Sequence, residues 1–216
     1  MSKLILTSGV QNVNDNTPFN GRGFKEGGQV VGHLHGKYYE HASRGNVFVA
    51  STLAAGIVVP FVAATLSAKF TLHNPAASGV VVELIDLNVL QVPGSALITG
   101  LGLAFQGPLA TTGGVPTSTT VTAGGNLSTR VGGGGATPAS SCYTAATLTN
   151  VAIANLTPLI WLFNNVATTV ITQQFVNYQF DGKFILRPDS LCTLVNSITG
   201  TQSAAAVSIT YAEHPA

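Results

Sequence analysis

Charge is what this 216-residue sequence has least of. Asp, Glu, Lys and Arg together make up 8 % of it, against about 25 % in an ordinary soluble domain. Solvated charge keeps free surfaces from associating, so the scarcity argues for a chain packed against copies of itself or another protein. The net charge of +1 gives no electrostatic footprint for nucleic acid, and no direct nucleic-acid partner is expected. Cysteine is nearly absent too. Cys142 and Cys192, 50 residues apart, make neither a disulfide framework nor a metal-type spacing, and read as small apolar residues. The opening MSKLILTSGVQNVND lacks the apolar core of a secretory leader.

A membrane span is also missing, although one stretch invites the thought. Between Arg44 and Lys69 lie 24 uncharged residues. Pro60 sits near the middle of FVASTLAAGIVVPFVAATLSAKF, and Ser51, Thr52, Gly56, Thr65 and Ser67 dilute it. A spanning helix wants about 20 predominantly apolar residues. Gly56 and Pro60 instead divide the stretch into pieces of strand length, 46–54 and 57–66, and no membrane is expected as a partner.

The charges that do occur are uneven. Eight of the 17 fall in residues 1–44, and from Leu87 to Phe180 the only one is Arg130. The shift sets a boundary near Gly45. Residues 1–45, with QNVNDNTPFNGRGFKEGGQ at their centre, are polar, Asn- and Gly-rich and without helical period, and read as an extended N-terminal arm. Residues 46–216 alternate with period 2. Val207, Ile209 and Tyr211 share one face in AAAVSITYA. Phe184 and Leu186 oppose Lys183, Ile185 and Arg187. Phe70 and Leu72 alternate with Lys69, Thr71 and His73, and Ile85, Leu87 and Val89 oppose Leu84, Asp86 and Asn88.

Turn chemistry punctuates these runs at His73–Gly79, Arg187–Ser190 and Asn196–Gln202. A short helix over 139–149 (ASSCYTAATLT) is weakly suggested. The segment 111–141 is Gly- and Thr-rich and reads as a long functional or interface loop. Many short strands without intervening helices predict an all-β domain, a β-sandwich of jelly-roll type with the arm attached.

Chemistry has few footholds. His33 and His35 would share one side of a strand and stand as weak metal candidates, with Glu40 or His41 as a third ligand. They lie in the polar arm, where histidines more simply hydrogen-bond or sit in a subunit contact. Glu83 and Asp86, three apart in one strand, face opposite sides if the strand is regular. Asp181 and Asp189 read as turn residues, and Trp161 as core. No serine sits in a nucleophile elbow, and Gly132–Gly135 lacks the ending of a phosphate loop. The sequence therefore predicts a protein that is not an enzyme and uses no cofactor. Arg22, Lys25, Tyr38, Tyr39 and Arg44 are the candidate contact residues of the arm, because Tyr and Arg favour protein interfaces.

Taken together, the polar arm leading into GKYYEHASRGNVFVAST, the strand and turn FTLHNPAASG before VVVELIDLNV, and the closing GKFILRPDSLCTLVNS and VSITYAEHP resemble tailed-phage virion structural proteins. The likeness is to jelly-roll head decoration, or cement, proteins and related tail or fibre domains. It implies a virion component on the capsid surface, assembled in the host cytoplasm, homotrimeric, with the major capsid protein as partner. It carries over no catalytic residue. A tail-fibre or spike domain binding a host receptor is the alternative. That reading wants aromatic and polar residues clustered on exposed loops, and segment 111–141 holds no aromatic residue.

Overall fold

The computed structural model describes residues 22–23, 29–30, 36–52, 56–59, 69–92, 100–107, 116–117, 127–128, 137–148, 159–164, 175–196 and 204–216. The chain divides into two compact units, Met1–Glu40 and His41–Ala216. In the first, strand β1 (Arg22–Gly23) pairs antiparallel with β2 (Gln29–Val30). A short helix, α1 (Tyr39–Ser43), follows. It ends in a left-handed cap at Gly45, φ 80°. Gly45 N–H donates to Ala42 O and Asn46 N–H to His41 O, the paired bonds that close a helix whose next residue cannot continue it.

The second unit is an all-β sandwich. Its strands are β3 (Val47–Ser51), β4 (Ile57–Val58), β5 (Lys69–Asn74), β6 (Val80–Gln91), β7 (Gly100–Gln106), β8 (Pro116–Thr117) and β9 (Leu127–Ser128), then β10 (Ser141–Leu148), β11 (Leu159–Asn164), β12 (Phe175–Gln179), β13 (Ile185–Leu186), β14 (Ser190–Asn196) and β15 (Ala204–Pro215). One sheet runs β11-β7-β14-β5-β10-β8. The other runs β12-β6-β15-β3-β9, with β13 added to β6 and β4 to β15. Every pairing between described strands is antiparallel.

The inward faces of the two sheets meet in one core. Phe48, Leu84, Leu87, Ile209 and Tyr211 come from one side, and Phe70, Leu72, Leu101, Leu103 and Leu194 from the other. Burying a side chain of this size removes about 1.5–3 kcal/mol worth of apolar surface from water. The alternation read from the sequence holds in β15, where Val207, Ile209 and Tyr211 are buried. In β5 it does not. Thr71 and His73 are buried as well as Phe70 and Leu72, so both faces of this strand are covered. Thr71 meets that condition by donating to Thr193 Oγ1, whose own hydroxyl donates to Phe70 O.

Two local expectations are corrected. Residues 141–148 form strand β10, not a helix. Ser141, Cys142 and Tyr143 take partners from β5, and the segment has neither helical caps nor an apolar helical stripe to outweigh that pairing. The expected alternation in β6 also breaks, because Leu84 and Ile85 are both buried. Thr210 lies opposite Asp86 and Tyr211 opposite Leu84, leaving Ile85 as the extra residue of a bulge. The turn after β12 holds it there: Phe180 N–H and Asp181 N–H both donate to Ile85 O. The bulge reverses the strand's parity, so Glu83 and Asp86 share the outer face rather than opposing each other.

The Gly/Thr-rich segment touches both sheets. Pro116–Thr117 pairs with β10 and Leu127–Ser128 with β3. Its end is fixed by a buried carboxylate on β15. Glu213 Oε2 accepts from Ala139 N–H at 2.9 Å, and Oε1 accepts from Ser140 N–H at 2.8 Å and Ser140 Oγ–H at 2.6 Å. Tyr211 O–H donates to Ser140 Oγ at 3.0 Å.

Candidate functional site

His33, His35 and Lys25 lie outside the described residues. Arg22 sits in β1 opposite Val30. Tyr38 is half-buried and carries the Lys37 ammonium 4.9 Å above its ring, while Tyr39 is 50 % exposed. Arg44 is exposed and belongs to the second unit. Glu40 is exposed. His41 is in the second unit, its ring edge-on to His214 at 4.8 Å, and His214 Nε2 stands 2.9 Å from Glu83 Oε2. Among the described residues no group of three or more His, Cys, Asp or Glu is placed to hold a metal. Nor is any helix among them long and apolar enough to cross a membrane.

Cys142 and Cys192 are free and buried, each opposite Leu72 on one of the two strands flanking β5. Two strand spacings separate them, roughly 9–10 Å, beyond the Cα reach of a disulfide. Burial pushes both thiols up, Cys192 to about 12. Neither is a nucleophile at neutral pH.

Among the described residues of the second unit a cleft of about 430 Å³ opens. Phe105, near the end of β7, forms one wall, and the run from Phe184 to Leu191 forms the other. The Phe184 ring stacks on Phe105 at 5.3 Å and meets Phe180 edge-on at 5.8 Å, so the apolar floor is a packed aromatic group. Ile185, 57 % exposed, stands at the mouth. The rim is polar, with Gln106, Arg187, Asp189 and Ser190.

The loop that makes this wall is built by short-range chemistry. Asp189 takes a positive φ of 68°, a conformation Asp tolerates better than most side chains. Ser190 Oγ donates to Arg187 O at 2.6 Å. Asn74, fully buried at the end of β5, donates from Nδ2 to Leu186 O at 3.0 Å and Val80 O at 2.8 Å, and its backbone carbonyl accepts from Asp189 N–H at 2.9 Å. Gly107 lets the walls approach: a Cβ there would stand 2.7 Å from Ser190 Cβ. An apolar floor with a few fixed polar groups at the rim is the usual make-up of a binding cleft. The sequence did not disclose it, because Phe105 and Phe184 come from distant parts of the chain. The one signal was Ile185, an apolar residue on the outward side of its short strand.

Behind the loop, buried His73 sits close enough to Asp189 for the two to interact. Burial lowers its pKa below the ordinary value of 6.5, partly offset by the Asp189 carboxylate. A depressed folded-state pKa means that the unfolded chain takes up the proton first. The stability His73 confers is therefore full above pH 6.5 and is lost as pH falls below it. The thermal midpoint should drop on acidification from pH 7 to 5, and His73→Asn should flatten that slope. An unchanged slope in the variant contradicts the assignment.

The site is therefore a cleft with an apolar floor and with Gln106, Arg187, Asp189 and Ser190 at its rim. Comparison with protein-family models, with curated proteins and with solved structures found no significant match.

Proposed function

We propose that this chain is a non-enzymatic structural protein of a virion, a capsid decoration protein that binds the outer surface of the head and stabilises the shell. The sandwich would be of jelly-roll type, and the protein would act as a homotrimer against the major capsid protein. The observation that carries this reading is a β-sandwich with very little charge that opens an apolar cleft at its surface. Such a surface gains more from contact with protein than from contact with water. The cleft is of a size to receive an apolar side chain of the shell protein, with Arg187 and Asp189 at the rim setting its register. The polar arm, with Tyr38, Tyr39, Arg22, Lys25 and Arg44, would add contact area as it orders on the shell. Three copies acting together would multiply the grip through effective concentration.

The experiment is reconstitution. The full chain, added to heads assembled without it, should bind saturably. Ile185→Asp should weaken that binding at least tenfold while leaving the urea midpoint unchanged, since the side chain is largely exposed. Absence of saturable binding, or equal binding by the variant, contradicts the role given to the cleft.

A further inference from the structure

The outer face of the seven-stranded sheet carries an ordered strip of side chains that neither the core nor the cleft uses. Strand register sets it out in three rows. The first is Phe175, Leu90 and Ala206, the second Asn177, Asn88, Ser208 and Ser51, and the third Gln179, Asp86, Thr210 and Val49. Phe175 is 63 % exposed and Leu90 38 %. At a strand spacing of about 4.8 Å and a rise of about 3.4 Å per residue, the strip measures roughly 14 by 13 Å. The cleft's Ile185 lies toward the other end of β6, opposite Glu83.

The polar rows are joined in one directed chain of hydrogen bonds. Gln179 Nε2 donates to Asn177 Oδ1 at 3.1 Å, Asn177 Nδ2 to Asn88 Oδ1 at 2.6 Å, and Asn88 Nδ2 to Asp86 Oδ1 at 3.0 Å. Thr210 Oγ1 donates to the same Asp86 oxygen at 2.9 Å. Each amide nitrogen carries a second N–H that this chain does not use, and each amide oxygen a second lone pair. The amides are thus linked in one network, with Asn177 and Gln179 exposed and Asn88 half-exposed, and less side-chain entropy remains to be lost on binding than for unlinked amides.

We propose that this strip binds a neutral polysaccharide, the exposed Phe175 ring taking the apolar face of a sugar and the amide row of Asn177, Asn88 and Gln179 taking its hydroxyls. Hydroxyl groups both donate and accept, which matches amides that offer both; a dry protein interface would strand those groups at the cost of their hydration. Nucleic acid fits worse, because the strip holds no Lys or Arg and its one charged side chain is the Asp86 carboxylate. The small residues Ala206 and Ser208 leave the floor flat enough for an extended chain. On a particle, such a strip would hold the virion against a coated cell surface, a role independent of how the protein is seated.

Affinity electrophoresis of the full chain tests the inference, with gels containing a soluble α-1,4-glucan, a β-1,4-glucan or a mannan. Retardation by at least one polysaccharide is expected. Phe175→Ala and Asn177→Ala should each reduce it at least tenfold, Phe175→Tyr should retain it, and Ile185→Asp should leave it intact. The variants' urea midpoints should match that of the parent. No retardation in any gel, or full retardation of F175A, overturns the proposal. So does a change in the solution mass of F175A, which would make this face a contact between copies of the chain. Ile185→Asp losing shell binding but not retardation separates the two surfaces.

Discussion

Replacing Glu213 by alanine should lower the stability of the sandwich by about 3 kcal/mol, the range for removing one partner of a buried charged network. Glu213 is 8 % exposed and accepts three hydrogen bonds from Ala139 and Ser140. Alanine leaves two backbone N–H groups and a hydroxyl without their acceptor, and leaves Tyr211 O–H donating to a Ser140 hydroxyl that is no longer anchored. Glu213→Gln keeps one oxygen but turns an N–H₂ group toward another donor, so its loss should be smaller, about 1–2 kcal/mol. Urea unfolding measures both, and hydrogen exchange should show amide protection at Ala139 and Ser140 falling before that of β6. A loss under 1 kcal/mol in E213A means that the clamp is not structural.

Leu72→Ala should cost a comparable 2–5 kcal/mol, because it empties a fully buried position at the centre of the core. The site is informative beyond its size. Leu72 lies between Cys142 and Cys192 in adjacent strands, and Phe105 lies beyond Cys192. In the parent protein both thiols are buried and held protonated, so a thiol-specific dye should label neither until the protein unfolds. In L72A the cavity should let the dye reach at least one thiol under native conditions. Rapid labelling of the parent would contradict the packing described for this row.

Local pattern was legible in the sequence wherever a strand is regular and has one wet face. Val207, Ile209 and Tyr211 alternate in β15, and the absence of helical periodicity after residue 45 pointed to an all-β fold. What could not be read depended on partners far along the chain. The bulge at Ile85 arises from the register of β15 and from the turn at Phe180–Asp181, and it placed Glu83 and Asp86 on one face against expectation. Residues 141–148 became a strand because β5 offered an edge, which local propensity could not foresee. Glu213 closes on residues 73 and 74 positions away, and Asn177 on one 89 positions away. A hint existed for Glu213, since a lone carboxylate in VSITYAEHP continues the buried face of that strand. The cleft left only the outward-facing Ile185 as a local mark, and the amide strip left none.

Imaging particles assembled with and without this chain tests the decoration reading most directly. Electron cryomicroscopy should show outer protrusions on the complete heads, each with threefold symmetry and fitted by the sandwich. Those protrusions should be missing when the chain is omitted, and the depleted heads should lose DNA at a lower temperature. Depleted heads that keep every protrusion and their full thermal stability would contradict the account.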